Sequence, residues 1–367
     1  MEKRKATSPG SGYWYSIDAL RTIAVLSVVA IHTVPFEQIY PNFTFALTNI
    51  FGRFAVPFFF IVSGYLYALR LQAATSVWSV LRRRLSYLVS VYLLWSLVYR
   101  MYQIFVEGHR IFFARWAVKN FLINLFFNGI QYHLWYMAAL IMAIVAITLY
   151  HRYLGDRRWP LVVIALILYG IGVMGDTYYG LFAKNPLIAW ITRQLWTTRN
   201  GFFFGIPLFA AGYLVSFYPV ERDRRRIYGL ALVASLALLI VEAVTLEAKG
   251  IPKDYNIYLS LIPLSVSLLL VCLVNPHWMK DTVLTRLAKY SFGIYLVHLA
   301  PHMILSRFYS PRLHQNPWFE LVYTPVVFLV SLGLTALLYH VPLTFLNRFV
   351  RQPRGRAVGG SAPGVNL

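Results

Sequence analysis

The sequence predicts an all-α integral membrane protein, a polytopic bundle of about ten transmembrane helices with both termini in the cytoplasm. Three observations carry this. The 367 residues are 59% hydrophobic and only 13% charged, with a mean hydropathy of +0.58, whereas soluble domains carry roughly 25% charge. Apolar stretches recur from Tyr15 almost to Arg348, and most are long enough to cross about 30 Å of hydrocarbon at about 1.5 Å per residue. The net charge of +21 sits in short loops between these runs. A nucleic-acid binder needs a continuous basic face instead, so no nucleic-acid partner is expected and the charge serves orientation.

The spans are read, in order, as Tyr15–Phe36, Ala46–Leu69, Leu85–Phe105, His133–Tyr150, Trp159–Met174, Gly201–Tyr218, Ile227–Leu246, Ile257–Asn275, Leu287–Phe308 and Phe319–Leu346. Phe121–Phe127 is too short to span and reads as re-entrant or interfacial. With the N-terminus inside, the inside segments carry Lys3, Arg4 and Lys5; Arg70 and Arg82–Arg84; Arg152, Arg157 and Arg158; Arg222 and Arg224–Arg226; Lys280, Arg286 and Lys289; and Arg348, Arg351, Arg354 and Arg356. These 21 cations outnumber the 11 in outside segments, the bias that sets cytoplasmic loops. Trp14, Trp159, Trp278 and Trp318 fall near span ends, where interfacial anchors belong.

Residues 13–350 form one transmembrane domain in this reading, between a basic, disordered segment 1–12 and a disordered tail 351–367 rich in Gly, Ala, Pro and Val. No secretory cleavage site is evident, so the first apolar run is expected to be retained. The single cysteine, Cys272, lies in the apolar run Leu268–Val274 and reads as a small core residue.

Ionisable groups inside a membrane are costly, which makes each a functional candidate. The first span holds Asp18, Arg21 and His32. Eleven residues separate Arg21 from His32, which leaves them within about 20° of alignment and about 16 Å apart along one helix face. Asp18, three residues before Arg21, is placed to pair with it. An imidazole is suited to take a proton near neutral pH, and a cationic guanidinium on the same face can hold an anion. The plain alternative makes Arg21 an interfacial anchor and His32 a packing residue.

Arg53 lies near the outer end of the second span, at about the depth of His32, and is followed by Pro57, which can kink the helix, and by Ser63-Gly64, which permits close packing. Arg82, Arg83 and Arg84 open the third span, either as a topogenic signal or as a clamp for phosphates. His133-Leu-Trp-Tyr136 opens the fourth from outside. In the ninth, Ser291, Tyr295, His298 and His302 share one face, as a functional stripe or as helix–helix hydrogen bonds. Gly170-Ile-Gly-Val-Met-Gly175 matches G-x-G-x-x-G, yet it ends an apolar span and follows no strand, so it is discarded as a dinucleotide site. No G-x-S-x-G, H-E-x-x-H, Walker A or C-x-x-C pattern is present, and neither a metal nor a serine nucleophile is expected.

Ile17-Asp-Ala-Leu-Arg21 followed by His32 resembles the R-x10-H pattern of the membrane-bound acyltransferase 3 family. The resemblance continues in order through Val56-Pro-Phe-Phe-Phe-Ile-Val-Ser-Gly-Tyr65, the basic start of the third span, His133-Leu-Trp-Tyr136 and Ser291-Phe-Gly-Ile-Tyr-Leu-Val-His298. It implies a ten-helix bundle that moves acyl groups, acetyl foremost, from cytosolic acyl-CoA to acceptors. Those acceptors are often carbohydrates or lipid-linked glycans at a bacterial inner membrane. It also implies a catalytic His32 and an essential Arg21, with Asp18 beside it. In this reading Arg53, His133, Tyr136, Tyr295 and His298 contact the acceptor or the transition state, and Arg82–Arg84 hold the phosphates of acetyl-CoA. The length leaves no room for a fused esterase-like domain, so the bundle itself is expected to engage the acceptor. An acyl-His32 intermediate and direct transfer both remain open. The rival reading is a secondary transporter or flippase for an anionic or lipid-linked substrate.

Overall fold

The computed structural model describes residues 13–108, 115–155, 157–308 and 315–340, and residue 350. The expected disordered ends and the last part of the tenth expected span lie outside these. The described residues contain helices and turns and no strand. Among the described residues, six helices are long and apolar enough to cross a membrane: Tyr15–Thr33, Pro41–Gln72, Val77–Phe105, Trp135–Leu154, Arg222–Ala248 and Pro317–His340. Three shorter apolar helices, Arg158–Met174, Gly201–Val215 and Leu261–Val274, stand where the fifth, sixth and eighth spans are expected.

The ninth expected span is not one helix. It is a chain of short pieces, with helices Val283–Leu287, Ser291–Val297 and Leu299–Leu305 joined and followed by 3-10 turns. Pro301 supplies a reason for the break at His298: it has no N–H for the Val297 carbonyl and its ring crowds that carbonyl. Pro57 acts similarly on Arg53. Ahead of it, the long helix Pro41–Gln72 contains a π-helical turn, Ala46–Ile50, and then a 3-10 turn, Phe51–Phe54. The third helix begins at Val77, earlier than expected, because Ser76 caps it by accepting from Ser79 N at 3.4 Å. Arg82–Arg84 therefore lie within the helix, not ahead of it. Phe121–Phe127 falls in a short helix, Arg115–Ile123, and the π-helical turn Asn124–Asn128 that follows. The sequence reading missed the helix Pro186–Leu195, although Asn185-Pro186 is a start signal: Asn185 Oδ1 accepts from Leu187 N and Ile188 N at 3.0 and 3.3 Å.

The chain divides into two compact units. In the first, Met1–Leu66, Tyr213–Leu239 and Ser260–Leu367, the helix Tyr15–Thr33 is the centre. It packs on Ala46–Phe54, Leu261–Val274, Val283–Leu287, Ser291–Val297 and Pro317–His340. Ile17, Ala19, Ala24, Val25 and Val29 are fully enclosed. Side-chain hydroxyls bind neighbouring backbone, Ser16 Oγ to the Cys272 carbonyl at 2.9 Å and Thr22 Oγ1 to the Leu284 carbonyl at 2.8 Å. Cys272 is a buried core residue, as expected. Gly293 lets two helices meet closely, since a Cβ there would lie 2.2 Å from Thr335 Cγ2.

In the second unit, Tyr67–Gly212 and Ile240–Leu259, the helix Trp135–Leu154 packs on Val77–Phe105, Asn124–Asn128 and Gly201–Gly205. A Cβ at Gly201 would lie 2.6 Å from Met142 Sδ, so glycine sets that approach. Beside it, a buried carboxylate ties a loop together: Asp176 accepts from Asn256 N, Asn256 Nδ2 and Ile257 N at 2.7, 3.0 and 3.0 Å.

Trp159, Trp278 and Trp318 are exposed, whereas Trp14 is 5% exposed and sits edge-on to Tyr65.

Candidate active site

The first helix carries one cluster of candidate residues toward each end, and both clusters lie within the first unit. At its last turn, half-buried His32 stacks on buried His298, with ring centroids 5.2 Å apart and planes 27° from parallel. His298 Nδ1 lies 2.8 Å from the Tyr295 carbonyl. A carbonyl only accepts, so Nδ1 carries a proton, and in the neutral ring Nε2 is the basic nitrogen. The Tyr295 ring lies 6.4 Å from that of His298. One turn on, His302 Nδ1 meets Tyr323 OH at 2.7 Å. Across the helix break His298 N still bonds the Ile294 carbonyl at 2.9 Å and His302 N the His298 carbonyl at 3.4 Å.

The chain leaves His32 through a strained turn. Val34 and Phe36 have φ of +45° and +64°, a region β-branched and bulky residues rarely occupy. Buried Glu320 holds that turn by accepting from Phe36 N at 2.8 Å, and Thr33 Oγ1 meets Thr324 Oγ1 at 2.7 Å. Glu320 and Tyr323 were missed in the sequence reading. The available signal was a lone carboxylate at the start of an otherwise apolar span.

At the other end, Arg21 Nη1 donates to Asp18 Oδ1 at 3.0 Å, and Tyr13 OH donates to Asp18 Oδ2. Asp18 and Arg21 are 4% and 5% exposed. The expected pair forms, and Arg21 is held as half of a buried ion pair. Arg53, in the 3-10 turn, donates from Nη2 to Asn49 Oδ1 at 2.5 Å. Its neighbour Gly52 abuts Ile31, the residue before His32: a Cβ there would stand 3.1 Å from Ile31 Cγ1.

The remaining expected site residues belong to the second unit. His133 is buried, with its ring edge-on to Tyr99 at 4.9 Å, and Tyr136 is half-buried. Of the three arginines, Arg82 and Arg83 are exposed, whereas Arg84 is buried and its Nη2 has no hydrogen-bond partner among the described residues. Among the described residues no three His, Cys, Asp or Glu side chains converge as a metal-binding set.

A family model described as an acyltransferase domain matches residues 14–340, a range that contains every residue above except Tyr13. The chain belongs to the acyltransferase 3 family. Together with its long apolar helices, this makes it an integral membrane protein. This acyltransferase-family chain is also similar to a serine/alanine racemase of Enterococcus gallinarum, 31% identical over 93% of the chain and 48% of that protein. Two amino-acid racemases of Enterococcus faecalis are 30% and 27% identical over 67% and 77% of the chain. The chain spans about half the length, or less, of these curated relatives. No solved structure matches it.

Proposed function

We propose that the chain is a membrane O-acyltransferase of a bacterial inner membrane, with ten spans and both termini cytoplasmic. It takes an acyl group, acetyl in the simplest case, from acyl-CoA and passes it to a hydroxyl of a carbohydrate or lipid-linked glycan. The observation that carries this reading is the His32–His298 stack in a chain of this family. Of the two imidazoles, one can take up a proton and the other is placed to orient it.

In this mechanism His32 accepts the acceptor's hydroxyl proton as the oxygen attacks the thioester carbonyl. The tetrahedral oxyanion is met by donors such as Arg53 or Tyr295. Its collapse expels the CoA thiolate, which takes the proton from His32, so the products are the ester and free CoA. His298 contacts the acceptor. Arg82 and Arg83 meet the CoA phosphates with guanidinium forks. The Asp18–Arg21 pair fixes the cytoplasmic end of the helix that carries His32.

The names of the relatives favour a second reading, in which the chain acts on an amino acid. One experiment separates the readings. Purified protein is given labelled acetyl-CoA with candidate glycans, and separately L-serine or L-alanine. Acyl transfer releases free CoA and labels a glycan, with no D-amino acid formed. A D-isomer formed while acetyl-CoA stays intact favours the second reading. Intact acetyl-CoA with no D-isomer leaves a transporter.

A further inference from the structure

A cavity that includes neither His32 nor His298 adjoins the start of the first helix, where its lining residue Pro276 accepts from Ser16 N. It measures roughly 860 Å³ and is lined by Arg222, Arg225 and Arg226 at the start of one helix and by Asn275, His277 and Trp278 just past the end of another. All six residues belong to the first unit. Asp223 also lines it, so its formal balance is three guanidiniums against one carboxylate. Arg224 is occupied elsewhere, paired to Glu221 at 2.6 Å, while no ion pair engages Arg222, Arg225 or Arg226 among the described residues.

The opposite wall is fixed. Asn275 Nδ2 bonds the Val271 carbonyl at 2.8 Å, Trp278 N bonds the Asn275 carbonyl at 3.1 Å, and the Pro276 carbonyl accepts from Ser16 N at 3.4 Å. Lys280 Nζ sits 5.6 Å from the centroid of the Tyr15 ring. An independent feature adjoins the arginines. The helix they begin presents Ile227, Leu230 and Val233 outward, each at least 60% exposed, on one face at a spacing of three. In a membrane that stripe faces acyl chains.

We propose that this cavity binds the headgroup of an anionic phospholipid. The phosphodiester lies among the guanidiniums of Arg222, Arg225 and Arg226, which match phosphate oxygens. Trp278 sits at headgroup depth, and an acyl chain runs along Ile227, Leu230 and Val233. Basic pockets at helix ends on the cytoplasmic side recognise anionic headgroups in this way. The site is independent of the acyl-transfer reading.

The test uses the full chain in neutral detergent. Native mass spectrometry counts retained lipid during titration with phosphatidylglycerol or phosphatidylcholine. The expected result is one phosphatidylglycerol held with at least tenfold preference. R225Q/R226Q should abolish that preference and R157Q/R158Q should leave it. Inorganic phosphate or adenosine 3′,5′-bisphosphate at millimolar concentration should not displace the lipid. Because arginines also guide insertion, a second measurement needs no variant: phenylglyoxal labelling of Arg225 and Arg226 should fall with phosphatidylglycerol and not with phosphatidylcholine. Equal retention of the two lipids, or equal labelling, overturns the proposal. Displacement by the soluble bisphosphate also overturns it and makes the cavity a nucleotide site.

Discussion

His32 and His298 lie on different helices of one unit and stack with their ring centroids 5.2 Å apart. Their sequence separation is 266 positions, so neither helix alone discloses the pair. The stack makes His298 the immediate neighbour of the proposed base, with its tautomer set by the Tyr295 carbonyl. Replacing His298 with Ala should lower kcat/KM for acyl transfer by about 10²-fold, the low end for loss of positioned acid–base assistance. A purely structural role would change stability alone. The discriminating readout is the pH profile of kcat/KM, whose acid limb should move in H298A. An unmoved limb with full activity would remove His298 from the site.

The Asp18–Arg21 pair is buried at 4% and 5% exposure. Asp18→Asn removes the carboxylate charge that faces the buried Arg21 guanidinium, and breaking a buried ion pair costs on the order of 3–5 kcal/mol. The single variant should melt well below wild type, whereas D18N/R21M should recover stability without recovering activity if Arg21 also serves transfer. Thermal melting and turnover of both variants check this. Recovery of both properties would make the pair structural only.

Arg82 and Arg83 are exposed and Arg84 is buried. A charge-assisted hydrogen bond contributes about 1.5–3 kcal/mol, so R82Q or R83Q should raise the apparent constant for acetyl-CoA about tenfold or more. The rate at saturating donor should fall less. R84Q should chiefly alter melting. The measurement is donor dependence in correctly oriented protein. Unchanged constants in R82Q and R83Q would leave the cluster a topogenic signal.

Asp176 sits outside the spans. Burial pushes its carboxyl above the usual carboxylate range, against the hydrogen bonds from Asn256 and Ile257, which lower it. With the folded value raised, the folded state holds the proton more tightly. Its contribution is present below the unfolded value and is lost as pH rises through the folded one. D176N should therefore gain stability relative to wild type as pH rises across that window. D176A, which leaves buried donors without their acceptor, should lose about 1–3 kcal/mol for each. Melting of the three proteins between pH 4 and pH 7 checks both signs.

The legibility of this chain followed the physics of each feature. Long apolar runs announced most spans, because a helix in lipid satisfies its backbone internally. The Asp18–Arg21 pair was legible because its spacing of three is local to one helix. The break of the ninth span was not, since Pro301 acts on a carbonyl four residues back within an otherwise apolar run. Glu320 and Tyr323 escaped because their partners, Phe36 and His302, come from other elements. Arg84 differs from Arg82 and Arg83 only by which face of the helix Val77–Phe105 packs, a tertiary fact.

The central claim is that His32 is the base of an acyl transfer, and the direct measurement is turnover of purified His32→Ala with acetyl-CoA and an acceptor glycan, alongside its binding of CoA. The account predicts a folded protein that binds CoA as wild type does and transfers at least about 10²-fold more slowly. Wild-type turnover in that variant would contradict it.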